Sequence, residues 1–310
     1  MGWRPRHRRR RSAVILALVI LLGPPPVAHA LDWRDVRLDA QSIAAAGTTF
    51  SVASVGEGPL IVLLSGTASP MSEWDPALLG ALADGHRVVV FDYPGLGASG
   101  PAPGAWTFDH AASWTSDLIA ALSPGQPVDV IGWSMGGFIA QRLAVRRPQQ
   151  VRRLVLAATN PGGSDAVLGP RWVQEADSDG GVRGYLRSNY PPGARGAGRA
   201  FLERLAAAVD DGAYPPVIVP AHTARAMVRA EDPWLRSDAN AVSLHRIVAP
   251  TLVMTGAQDL VTPAVNSRRI ARRIPDATLA LLPGAGHSFL FQRPQETAHL
   301  ITSFLDRGSG

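Results

Sequence analysis

Three side chains define the chemistry open to this 310-residue sequence: Ser134 in GWSMGG, Asp259 in TLVMTGAQDLVTP and His287 in LLPGAGHSFLFQ. A serine hydroxyl attacks a carbonyl only when a base removes its proton, and an imidazole does so best when a carboxylate orients it. Ser134 sits between Gly132 and Gly136, directly after the apolar run VDVI and directly before FIAQRLAV, which has helical spacing. A plain turn is the competing reading of Gly-x-Ser-x-Gly. A strand before and a helix after favour the nucleophile, because such a turn crowds its flanking positions down to glycine and projects the serine oxygen. The adjoining helix N-terminus also favours developing negative charge.

The elements that must position these residues alternate along the chain. Short apolar runs, TTFSVAS, LIVLLS, RVVVFD, VDVIGW, RRLVLAA, TLVMTG and ATLALLP, are separated by helical stretches such as DPALLGALAD, WTSDLIAALS, FIAQRLAVRR, AVNSRRIARRI and QETAHLITSFL. Strands that are apolar almost throughout must be covered on both faces, so the pattern predicts an α/β fold with a doubly wound, mostly parallel sheet. Asp259 and His287 each follow an apolar strand, where loops at the carboxyl ends of parallel strands converge. The alternation breaks over residues 161–246. There AFLERLAAAVD and AHTARAMVRA are helical in spacing, while ADSDGGVRG and NYPPGARGAG read as loops. A segment this long inside a compact domain reads as a helical lid inserted after the sixth strand. The α/β core then comprises residues 31–160 and 247–310.

Through LIVLLSGT, FDYPGLGAS, GWSMGG, GAQDLVTP and GAGHSF, the chain resembles the α/β-hydrolase fold family, in its group of single-domain esterases, lactonases and cofactor-free haloperoxidase-like enzymes. The resemblance implies Ser134 as nucleophile, His287 as general base and then acid, and Asp259 as the residue that orients the imidazole. It also implies two backbone N–H donors for the tetrahedral oxyanion. The first is Met135. For the second, the family usually shows His-Gly-x where this sequence has Ser65-Gly66-Thr67; Thr67 is the expected donor, with Gly66 and Ala68 as alternatives. Acyl-enzyme hydrolysis of a carboxylic ester, lactone or thioester follows, with no cofactor and no metal. The same scaffold hosts perhydrolase or haloperoxidase-like chemistry and C–C or peptide hydrolysis, and a non-catalytic binding protein is the alternative of another class.

Other residues compete for attention. GLGASG (residues 95–100) matches a dinucleotide fingerprint, but PAPGAW follows it instead of a helix, so no helix N-terminus is available for a pyrophosphate. The resemblance makes it a structural turn, with Asp92 fixing the loop. His86, His110, His222, His245 and His299 lack metal-ligand spacing; His222 and His245 lie in the lid, within possible reach of substrate. Trp133 and Met135 should pack beside the pocket. Trp172, Tyr185 and Trp234 either line a substrate channel or form a small core of the lid.

Residues 1–30 read as a secretory signal peptide: a basic MGWRPRHRRRR, an apolar AVILALVILL, and PPPVAHA with Ala28 and Ala30 before a cut at Leu31. The apolar run is far short of the roughly 20 residues of a spanning helix, so no stable membrane insertion is expected after cleavage. Arg4, Arg6, Arg8, Arg9, Arg10 and Arg11 account for six of the 30 basic residues, leaving 24 against 25 acids in the remainder. The overall net charge of +5 therefore belongs to the leader and does not point to nucleic acid. A secreted, periplasmic or envelope protein acting on a small ester-like molecule is the expectation. Cysteine is absent, which excludes disulfides, thiol catalysis and cysteine-held zinc, and lysine is absent too. No heptad or exposed strand pattern indicates an oligomeric state.

Overall fold

The computed structural model describes residues 31–307 except Gly180, so the leader read over residues 1–30 lies outside the described residues. Eight strands form one sheet: β1 (Gln41–Ala45), β2 (Thr48–Val55), β3 (Leu60–Leu64), β4 (Arg87–Phe91), β5 (Val128–Trp133), β6 (Val151–Ala157), β7 (Thr251–Gly256) and β8 (Ala277–Leu282). Their order is β1-β2-β4-β3-β5-β6-β7-β8. The six strands from β4 to β8 pair in parallel, while β1 and β2 join as an antiparallel hairpin at one edge.

The sequence pattern anticipates seven of these strands. β1 is the addition: its QSIAA is short and mostly exposed, so it lacks the apolar signature. Its register comes from the turn, where Ala46 and Gly47 both take positive φ (53° and 74°), the two-residue geometry whose twist matches a hairpin.

The helices are α1 (Pro76–Leu82), α2 (Phe108–Leu122), α3 (Met135–Arg146), α4 (Arg171–Asp179), α5 (Gly181–Asn189), α6 (Arg195–Asp210), α7 (Ala221–Arg236), α8 (Ala239–Ser243), α9 (Val265–Arg273), α10 (Phe289–Gln292) and α11 (Pro294–Leu305). Alternate residues of the central strands feed two cores. Val62, Leu64, Val130, Leu154 and Leu156 pack with Leu118, Ile139 and Ile270 on one face. Ile61, Leu63, Ile131 and Val155 pack with Leu78, Ile301 and Phe304 on the other. Each such fully buried aliphatic side chain contributes about 1.5–3 kcal/mol, which explains strands that are apolar at every position.

Between β6 and β7 the chain leaves the sheet as a helical insert, α4 to α8. ADSDGGVRG, expected as a loop, instead lies within α4 and α5 apart from Gly180. Packing overrides glycine's weak helix propensity there: a Cβ on Gly184 would sit 2.2 Å from the Ala176 carbonyl oxygen, so only glycine lets the two helices approach. NYPPGARGAG likewise turns into α6 at Arg195. The insert is anchored to the core by Arg204 on α6, whose guanidinium grips the fully buried Asp75, the N-cap of α1, at 2.9 and 2.5 Å.

Candidate active site

β5 runs straight into α3 through a single residue, Ser134, with φ 54° and ψ −120°. A non-glycine residue in this region is strained. The strain is imposed from both sides: a Cβ on Gly136 would lie 2.1 Å from the Leu64 carbonyl oxygen, and one on Gly132 would lie 2.5 Å from that of Gly136. The turn is closed by Ser134 N–H donating to the Ala157 carbonyl and Gly137 N–H donating to the Ser134 carbonyl, both at 2.9 Å. The hydroxyl is left half-buried at the carboxyl edge of the sheet.

The loops after β7 and β8 bring the other two predicted residues to it. His287 Nε2 lies 3.1 Å from Ser134 Oγ, and His287 Nδ1 lies 3.0 and 3.2 Å from the two carboxylate oxygens of Asp259. Asp259 and His287 are 4% and 3% exposed, and a buried carboxylate must be satisfied by donors. Asp259 accepts from the amides of Val261 (2.9 Å) and Thr262 (2.8 Å) and from the hydroxyls of Thr255 (3.0 Å) and Thr262 (2.9 Å). Thr262 Oγ1 also lies 3.3 Å from His287 Nδ1. The sequence reading missed these threonines, although Asp-x-x-Thr is a signal: an aspartate bonding the backbone two and three residues on is an Asx turn. Trp133 supports the imidazole, with ring centroids 5.5 Å apart, and packs on Phe291.

Met135, the expected first oxyanion donor, is the first residue of α3, so its amide has no carbonyl one turn back in that helix. The loop after β3 lies against the nucleophile, since a Cβ on Gly66 would be 3.7 Å from Ser134 Cβ. Thr67 and Ala68 follow, half-buried, with Ala68 at φ 56°. An unforeseen contact reaches this loop from the insert: Thr67 Oγ1 donates to Glu231 Oε1 of α7 at 2.9 Å.

Asp92 accepts from the amides of Met71 (2.8 Å) and Ala98 (3.2 Å), tying down the GLGASG loop. Burial holds its carboxyl above the ordinary value despite these bonds. Trp234 belongs to the main core and not to a separate core of the insert, and it lines a cavity with Phe108, His110 and Arg142. It stacks on Phe138 of α3 at 4.8 Å in the main core and donates from Nε1 to Asn160 Oδ1 at 2.9 Å. Trp172 is exposed beneath the Arg187 guanidinium, and Tyr185 Oη lies 3.0 Å from Ser288 Oγ beside His287. His222 is exposed, and so is His245, which faces the carbonyl of Val242. Among the described residues, no cluster of three or more histidines, aspartates or glutamates is placed to hold a metal ion, and no helix is long and apolar enough to cross a membrane.

The sequence profile of the alpha/beta hydrolase family matches residues 61–300. The chain is 30% identical to the poly(3-hydroxyalkanoate) depolymerase of Ectopseudomonas oleovorans, over 89% of this chain and 93% of that protein. It is 31% identical to the pimeloyl-[acyl-carrier protein] methyl ester esterase of Chromobacterium violaceum, over 82% and 97% respectively. Among solved structures, an alpha/beta hydrolase fold protein from Chitinophaga pinensis superposes with a TM-score of 0.75 at 24% identity, covering 88% of this chain and 98% of that one; at that identity the likeness speaks for the fold.

Proposed function

The chain belongs to the alpha/beta hydrolase family, and on that premise we propose that it is a serine hydrolase cleaving a carboxylic ester, lactone or thioester through an acyl-enzyme on Ser134. The observation that carries this reading is the continuous hydrogen-bonded path Ser134 Oγ, His287 Nε2, His287 Nδ1, Asp259, with legs of 3.1 and 3.0 Å. Ser134 Oγ attacks the carbonyl carbon while its proton passes to His287 Nε2. The amides of Met135 and Thr67 hold the resulting oxyanion, and Asp259 stabilises the imidazolium and keeps the ring in orientation. Collapse breaks the bond to the leaving group, which takes the proton from His287. Water then attacks the acyl-serine with His287 again as base, and the acid departs as Ser134 recovers its proton.

Relatives whose names include a methyl ester esterase support an ester as the bond cleaved. The insert between β6 and β7 contacts the loops that carry the site, through Glu231 at Thr67 and Asn189 at Ser288, which supports its reading as the lid. The leader-like residues 1–30 support action outside the cytoplasm, which is checked by the N-terminus of the protein recovered from producing cells: Leu31 is expected. The catalytic reading is tested by fluorophosphonate labelling alongside p-nitrophenyl ester turnover. Both are expected in the native protein and lost in Ser134→Ala; a folded native protein that takes up no label refutes the reading.

A further inference from the structure

We propose that Glu231 is a positioning residue for the oxyanion hole, delivered by the insert: its carboxylate grips the Thr67 hydroxyl and so sets where the Thr67 amide points. The inference rests on the hydrolase reading above and extends it to a residue outside the triad.

The loop that carries Thr67 does not hold its shape by propensity. Ala68, a non-glycine residue, is at φ 56°, a conformation that persists only when surrounding contacts over-determine it. Inside the loop, Ser65 Oγ donates to the Ser69 carbonyl at 2.6 Å and Ser69 N–H donates to the Gly66 carbonyl at 3.3 Å. On the side facing the sheet, the Trp133 ring is so close that a Cβ on Gly66 would lie 3.0 Å from it. On the side facing the insert, Glu231 Oε1 receives the Thr67 hydroxyl at 2.9 Å, across 164 residues of sequence. A hydrogen bond to a carboxylate is stronger and shorter than one between neutral groups, so this contact is suited to resist the local strain.

The helix that carries this carboxylate is itself held. Thr223, Met227, Ala230 and Trp234 form the buried face of α7, and Glu231 is flanked by the last two. Trp234 stacks on Phe138 of α3, whose first residue, Met135, supplies the other donor. α7 is therefore braced against the helix that carries one amide while its carboxylate grips the loop that carries the second. Two donors separated by 68 positions in the chain are set against one another by a third element, and an oxyanion is stabilised only when both are at hydrogen-bond distance from the same point.

The test uses the full-length enzyme, a neutral p-nitrophenyl ester and a fluorophosphonate. Removing a whole oxyanion donor costs about 10²–10³ in kcat, so misplacing one should cost roughly 10- to 100-fold. Glu231→Ala and Thr67→Val are each expected to lower kcat by that margin with KM nearly unchanged, and to slow labelling in parallel. The double variant should be no slower than the worse single one, and Thr67→Ser should restore the rate lost in Thr67→Val. Should Glu231→Ala lose fold as judged by thermal melting, Thr67→Val, which removes the same hydrogen bond from the other side, carries the test, with an unchanged kcat overturning the proposal, and Glu231→Gln, which keeps an acceptor oxygen without the charge, should lose less than Thr67→Val. Unchanged kcat in Glu231→Ala, a change confined to KM, or single effects that simply multiply would each overturn the role of Glu231 while leaving native labelling, and hence the hydrolase reading, intact. Absence of label on the folded native enzyme would instead overturn the hydrolase reading first.

Discussion

Replacing Ser134 with glycine should make the protein more stable than replacing it with alanine, although both changes are expected to abolish turnover. The residue sits at φ 54°, ψ −120°, and a side chain there costs about 1–3 kcal/mol. Glycine relieves that cost but gives the unfolded chain extra freedom, about 0.4–1 kcal/mol in the opposite direction. Alanine keeps the strain and, like glycine, removes the Oγ that meets His287 Nε2 at 3.1 Å, so the lost hydrogen bond cancels in the comparison. At the centre of these ranges the balance favours glycine by about 1.3 kcal/mol, or roughly 3–5 °C in melting temperature. Differential scanning calorimetry of the two variants measures it directly. A Ser134→Gly protein that melts at or below the temperature of Ser134→Ala would mean that the turn is not held in a strained conformation, and the account of why the serine projects from it would fall with that result.

Other outcomes follow from buried charges away from the triad. Arg204→Ala strips the bidentate partner from the fully buried Asp75 and should cost about 3–5 kcal/mol in urea unfolding, most of it regained in Asp75→Asn/Arg204→Met; a loss below about 1 kcal/mol would show that α6 is not anchored there. Glu73 is pushed above its ordinary value of 4.5 by burial, partly opposed by a hydrogen bond with Ser69. Because the folded state holds the proton more tightly than the unfolded chain, native stability falls as pH rises from 4.5 through the folded value. The melting-temperature advantage of Glu73→Gln should thus be smallest below pH 4.5 and grow above it, and a pH-independent difference would contradict this sign.

The parts of the molecule legible in the sequence share one property: local context fixes them. Gly132 and Gly136 around Ser134 report a steric collision that happens wherever a strand turns that sharply into a helix. Asp259 stands one loop beyond β7, which is buried along its whole length, and His287 one loop beyond β8, an apolar edge strand that is half-buried. β1 was silent because an exposed edge strand has no such constraint, and its pairing depends on the Ala46-Gly47 turn. The insert was legible as an interruption but not in its packing. Trp234 looked like a residue of the insert and proved to be part of the main core through Phe138, and the ADSDGGVRG glycines looked like a loop until Gly184 was seen to admit Ala176. The pairs Arg204–Asp75 and Glu231–Thr67 join residues 129 and 164 positions apart, and no spacing rule connects them.

Among the places where the helical segment between β6 and β7 touches the core, three differ in consequence: Arg204 at Asp75, Glu231 at Thr67, and Asn189, whose side-chain oxygen accepts from Ser288 Oγ at 3.1 Å next to His287. On the proposed reading, the portion of the chain that would decide which molecules gain entry is thus bolted to the parts that would process them. In directed evolution, shuffling that segment among relatives would rarely alter selectivity alone; turnover would shift with it, and a transplant would have to bring its own matching residues at positions 67, 75 and 288 to keep pace.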